Sequence, residues 1–207
     1  MHALFPSKQA LDFVIKTYGA AEGGKQTLAR LDEYLSSLGS EEGGKAFVIS
    51  RVFRAPPEVV YKAWTENEQL AKWFGPKGMS ITHCTLDLRP GGFFHYCLKT
   101  PNGQEMWGRW VFQEITPPER LVYIASFSDK KGGVTRHPMA PDWPAEMLSV
   151  VSFESHAGIG RGTVLTVRMS ALNATDAERK VFDAAHKSLN GGWGGTFEQL
   201  DEYLAKG

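Results

Sequence analysis

TDAERKVFDAAHKSLNGGWGGTFEQLDEYL, residues 175–204, is the stretch on which the fold turns. Phe182, Ala185, Leu189, Trp193, Phe197, Leu200 and Leu204 recur every three or four residues, the apolar stripe of an amphipathic helix. Thr175 and Glu178 have the spacing of a capping box, so one helix is expected from there to about Ala205. Gly191, Gly192, Gly194 and Gly195 surround Trp193. Each mid-helix glycine costs up to about 1 kcal/mol relative to alanine, so the fold must compensate. Three compensations fit: a kink or close approach that leaves Trp193 lining a cavity, tight helix–sheet packing, or a break between two shorter helices.

Upstream of this helix the sequence is strand-like. Runs at 79–88, 93–99, 106–115, 121–127, 147–155 and 163–169 are rich in β-branched and aromatic residues. Arg89-Pro90-Gly91-Gly92, Pro101-Asn102-Gly103, Pro117-Pro118-Glu119-Arg120 and Gly158-Ile159-Gly160-Arg161-Gly162 supply turn chemistry between them. A first strand over 46–53 precedes Pro56-Pro57, which opens a short helix to about Trp64. Thr65 and Glu68 have capping-box spacing for a second short helix, ended by Gly75-Pro76. The expected order is strand, two short helices, six strands, long helix. An antiparallel meander has one face needing cover, and the last helix is the element available to cover it. The fold class is therefore α+β: a twisted antiparallel sheet of six to seven strands wrapped around a long C-terminal helix, the helix-grip arrangement.

Five segments in order strengthen that reading: Arg51-Val52-Phe53-Arg54-Ala55-Pro56-Pro57-Glu58-Val59-Val60 through Ala63-Trp64-Thr65; Trp73-Phe74-Gly75-Pro76; Asp87-Leu88-Arg89-Pro90-Gly91-Gly92; Pro117-Pro118-Glu119-Arg120-Leu121-Val122; and Gly192-Trp193 followed by Leu200 and Tyr203-Leu204. Together they resemble the START-like (SRPBCC, Bet v 1-like) superfamily, and within it the branch named after the activator of Hsp90 ATPase. The resemblance spans roughly residues 46–206. It implies a pocket between sheet and last helix, but that superfamily hosts carriers, cyclases, receptors and co-chaperones, so it does not choose a function.

Residues 9–37 read as a further helix, followed by a flexible linker at Gly39-Ser40-Glu41-Glu42-Gly43-Gly44. Leu31-Asp32-Glu33-Tyr34-Leu35 repeats as Leu200-Asp201-Glu202-Tyr203-Leu204, and at the same offset Thr27, Gly23 and Phe13 match Thr196, Gly192 and Phe182. The expected division is an extension over 1–43 resembling the C-terminal helix of a second such domain, and a helix-grip domain over 44–207. An isolated helix is marginal in water, so the extension needs a docking surface. That surface is either its own domain or a second copy, which would make a homodimer.

Twenty-three basic and 23 acidic residues balance to zero net charge, which argues against nucleic acid as the main partner. No apolar run approaches a bilayer span, so no membrane insertion is expected. Two cysteines make no disulfide scaffold, and the cytoplasm is the default location.

The expected ligand is a small hydrophobic molecule. Cavity candidates are Trp73, Trp107, Tyr123, Phe127, Trp143, Trp193 and Phe197, with His95 and Arg109 as polar residues in apolar strands, either orienting a ligand or facing solvent. The long segment 128–145 is the candidate lid, and its Asp and His residues are a conceivable acid–base pair. His83, Cys84, His95 and Cys97 suggest a metal site only weakly, because adjacent strand residues point to opposite faces. No cofactor, metal ligand set or catalytic group is assigned. A protein-interaction or co-chaperone-like module, and a cyclase- or hydrolase-like enzyme, are the two alternatives to a binding protein.

Overall fold

The computed structural model describes residues 44–156 and 162–206. The helix expected over 9–37, residues 39–43 of its linker, the N-terminal copy of the repeat and residues 158–161 of the expected turn at 158–162 lie outside the described residues.

Among the described residues, eight strands form one antiparallel sheet: β1 (Phe47–Phe53), β2 (Ser80–Leu86), β3 (Phe93–Lys99), β4 (Glu105–Thr116), β5 (Arg120–Ser128), β6 (Val134–Thr135), β7 (Glu146–His156) and β8 (Gly162–Leu172). Their spatial order is β1-β8-β7-β5-β4-β3-β2, with β6 paired to β5 off the main path. Two short helices, α1 (Pro57–Thr65) and α2 (Asn67–Trp73), follow β1, and α3 (Asp176–Ala184) and α4 (His186–Leu204) close the chain. This is the α+β helix-grip architecture.

Alternation along β7 and β8 decides which face is inside. Met147, Ser149, Val151 and Phe153 are buried on one strand and Thr163, Leu165, Val167 and Met169 on its neighbour, while the residues between them are half-exposed. These inward residues join Phe53, Trp64, Leu70, Phe94, Trp110, Phe197 and Leu200 in a single core beneath the helices. Strand β3 is buried on both faces, because a turn at residues 129–133 between β5 and β6 folds against its other side: His95 Nε2 donates to Asp129 O at 3.1 Å.

Three local expectations need correction. The capping box at Thr175 and Glu178 forms as read, but the helix divides in two at Ala185. Ala185 N–H bonds both Val181 O and Phe182 O, a tightened turn that lets α3 pack on β8 and α4 on β1 and α2. Thr65 does not cap α2; its hydroxyl turns back to Tyr61 O at 2.8 Å, satisfied within its own helix. The two-residue strand β6 lies inside the segment read as irregular; it is too short to leave a periodic signal.

Candidate functional site

Helix α4 crosses the inner face of the sheet, and the four glycines lie within it without breaking it. A Cβ added at Gly191, Gly192 or Gly194 would meet nothing within 4 Å, so these glycines leave space rather than make room for a close contact. Gly195 differs: its Cβ would come to 3.2 Å from Lys77 N, where the chain enters β2.

The space beside Gly192 is a cavity of about 290 Å³. Trp193, Leu189, Gly192, Ser188 and Thr196 of α4 form one wall, Tyr96 and Leu98 of β3 the opposite one, and Phe74, Gly75 and Pro76 the end. Gly75 is required there: its φ is +128°, and a Cβ would press to 2.8 Å from Leu98 Cδ2. Gln199 Nε2 donates to Gly75 O and pins this connector to α4.

The polar groups of the wall are largely engaged within the protein. Thr196 Oγ1 donates to Gly192 O at 3.0 Å, and Trp193 Nε1 donates to Met169 Sδ at 3.2 Å. The Tyr96 hydroxyl is hydrogen-bonded to the Trp110 indole, and burial pushes its pKa up to about 12, so it is neutral at physiological pH. The remaining surface is mainly aromatic and aliphatic.

The centre of the helix–sheet space is filled. Trp193, Trp64, Trp110 and Tyr123 stack in a column, with planes 7°, 21° and 16° apart at successive centroid spacings of 6.0, 6.1 and 4.2 Å. Offset stacking adds to the area these rings bury and fixes their relative positions. The cavity lies beside this column, at the end nearest β3.

The residues expected to line a cavity therefore divide into four groups. Trp193 lines it. Trp73, Tyr123 and Phe197 are core: Trp73 Nε1 donates to Ala63 O at 2.9 Å, Tyr123 belongs to the column, and Phe197 packs on Phe53. Phe127 packs on His137, and Trp143 packs on Phe182 of α3. His95, Trp107 and Arg109 lie on the other face of the sheet, away from α4, in the register that aligns His95 with Arg109 and Cys97 with Trp107. Residues that line the cavity without having been singled out include Tyr96 and Leu98. Their signal was present, since both share a strand face with Phe94.

The segment 128–145 contributes no residue to this cavity. Asp129 is committed to backbone, its carboxylate accepting from Gly133 N at 2.9 Å and Lys131 N at 2.7 Å, which holds its pKa below the usual range. His137 Nδ1 accepts from Met139 N at 3.0 Å, and burial lowers its pKa. These are turn-stabilising roles. Cys84 and Cys97 point to opposite faces: β2 pairs His83 with Cys97 and Cys84 with Tyr96, and Cys84 Sγ contacts Asn67. Among the described residues, no three His, Cys, Asp or Glu side chains converge as a metal site. No helix of the described residues is long and apolar enough to cross a membrane.

Comparison with known proteins gives the class. Residues 54–205 match the family model of activator of Hsp90 ATPase homolog 1-like proteins, and the chain belongs to that family, within the START-like superfamily. Among solved structures, a protein from Nitrosomonas europaea is 29% identical, covering 78% of this chain and 94% of its own, with a TM-score of 0.61. A protein from Mycobacterium smegmatis is 25% identical over 77% of this chain and 90% of its own, with a TM-score of 0.62. One from Arthrobacter aurescens is 25% identical over 78% and 87%, with a TM-score of 0.63. A comparison with curated proteins found no match.

Proposed function

We propose that this protein binds a compact apolar small molecule in the cavity between β3 and α4. The observation that supports this reading best is the open volume beside Gly192, a helix glycine that weakens α4 and whose Cβ would meet nothing within 4 Å. About 290 Å³ sits at the small end of ligand pockets, which suits a molecule of modest size. Its walls favour apolar contact, and Ser188 is the side chain available to orient the ligand's polar end.

Native mass spectrometry of gently purified protein, with extraction of any bound compound, tests the reading beside Gly192→Leu. Wild type is expected to carry a releasable hydrophobic compound, and the variant, its cavity filled, to carry none. Equal loading of both proteins overturns the proposal.

A second reading is a protein-interaction module, in line with the family's name for activation of Hsp90 ATPase. The aromatic column supports it, because it fills the centre of the space a larger ligand would need. A clean unliganded mass moves the assignment to this reading. The other partner we propose is a second copy of the chain, joined through the helix expected at residues 9–37; the sequence repeat motivates it.

A further inference from the structure

The face of the sheet turned away from α4 carries a second hollow, of about 410 Å³, and its lining is unlike that of the first. Arg109, Lys130, Lys131, His83 and His95 converge there beside the ring of Phe93, and none of the residues lining it is an Asp or Glu. In a chain of zero net charge, this is a local concentration of positive charge.

The position of these side chains is built into the fold. His95 and Arg109 are register partners on β3 and β4, so their side chains emerge together on one face. The turn at 129–133 then folds over both. Its Asp129 carbonyl accepts from His95 Nε2 at 3.1 Å, and its Gly132 carbonyl accepts from Arg109 Nη1 at 2.6 Å. The Asp129 carboxylate holds the turn in shape through backbone amides of Lys131 and Gly133. Two acids stand nearby: Asp129, spent on those amides, and Glu105, which pairs with Lys130 at 2.9 Å and accepts from Trp107 Nε1 at 3.1 Å. Among the described residues Arg109 makes no ion pair, and Lys131 feels the Asp129 carboxylate only at longer range, without a close ion pair.

Arg109 is also incompletely satisfied. Its Nε is buried without a hydrogen-bond partner, although a guanidinium offers five donors in a planar fork. An oxyanion in the hollow would give the Arg109 guanidinium the charged acceptor it lacks and bring charge to a site whose cations are already held in place. Phe93, nearly half exposed, offers an apolar face beside the charge, and the rings of His83, His95 and Trp107 pack together at centroid spacings of 5.0 to 5.2 Å behind it.

We infer that this hollow binds a small anion, a phosphate or carboxylate, that carries a flat apolar group. It is a site separate from the helix-side cavity and does not depend on that cavity being occupied.

The test is an NMR titration of the full chain with phenyl phosphate and benzoate, beside inorganic phosphate and phenol as the separated halves. The expected result is saturable movement of the Trp107 indole signal and the Gly132 amide, with the Trp193 indole unmoved. Binding should be weakened about tenfold or more by Arg109→Gln and by Lys131→Ala, the loss of one charge-assisted contact each. Lys131 is exposed, so its replacement tests the charge without disturbing the turn. Saturation by phenyl phosphate alone assigns a phosphate, and by benzoate alone a carboxylate. Phenol binding as tightly as either aryl anion, affinity unchanged in both variants, or no saturable movement with either anion overturns the inference.

Discussion

The indole of Trp193 on α4 lies parallel to that of Trp64 on α1, the planes 7° apart and the ring centroids 6.0 Å apart. The closing helix is thus keyed to the first helix of the domain as well as to the sheet. Trp64 is completely buried, whereas Trp193 has one side toward the cavity. Trp64→Ala should lower unfolding free energy by about 3–5 kcal/mol, the usual cost of emptying a buried aromatic site. Trp193→Ala should cost less stability but weaken ligand binding more. Urea unfolding beside a binding titration measures both, and equal losses would make Trp193 a packing residue only.

Two glycines should respond to alanine in opposite ways. At Gly192 a methyl group enters open space, so Gly192→Ala should raise stability by up to about 1 kcal/mol through helix propensity while narrowing the cavity. At Gly108 a Cβ would lie 2.4 Å from Tyr96 Oη, and Gly108→Ala must displace that ring from the cavity wall. Gly108→Ala should therefore unfold at lower denaturant than wild type, and Gly192→Ala at higher.

Alkaline stability should report Tyr96. Its folded pKa is raised to about 12, while an unfolded tyrosine ionises near 10. Between those values the unfolded chain has released a proton that the folded chain retains, so stability declines as pH rises. The stabilisation is complete below pH 10 and lost by about 12. Tyr96→Phe should flatten this part of the curve when unfolding midpoints are followed against pH.

The acid side should report Glu178. Its backbone hydrogen bond from Thr175 N at 2.8 Å, and then its pairing with Arg136, hold its pKa below the usual glutamate value. Here the folded state favours the ionised form, so its contribution is present above the ordinary pKa of about 4.3 and fades as pH falls through the folded value. Glu178→Gln should reduce the acid-side slope of stability against pH in circular dichroism melts.

If two copies join through the helix expected at residues 9–37, as proposed, the full chain should have a dimer's mass in light scattering and removal of residues 1–43 should convert it into a monomer. A truncated chain that keeps the dimer mass excludes residues 1–43 as the dimer contact.

Local chemistry was the legible part of this fold. The Thr175–Glu178 box formed because both partners sit within one turn, and the Arg136 pairing uses the other carboxylate oxygen of Glu178 and leaves the box intact. The same spacing at Thr65 and Glu68 misled, because Thr65 is still inside α1, its hydroxyl donating to Tyr61 O, and Glu66 takes the N-cap position of α2. Trp193 was recognisable from the helix penalty of its glycine neighbours. The sidedness of His95, Trp107 and Arg109 was not: alternation sorts strand residues into two sets but does not say which set the helix covers. Here both sets are covered on β3, one by α4 and one by the turn after β5. The aromatic column left no sequence signal, since its four rings come from α1, α4, β4 and β5 and meet only after the sheet has curled.

The pairing of β1 with β8 joins the beginning of the domain to its last strand, Phe53 opposite Thr163 and Phe47 opposite Met169. During synthesis β1 emerges with both edges vacant and cannot acquire its neighbour until more than half of the chain has followed. Contacts of such long sequence separation are slow to form. The domain therefore has no stable half: its N-terminal strand, α1 and the ring of Trp64 wait for β8 and α4, and the final elements of the domain complete the structure of the first.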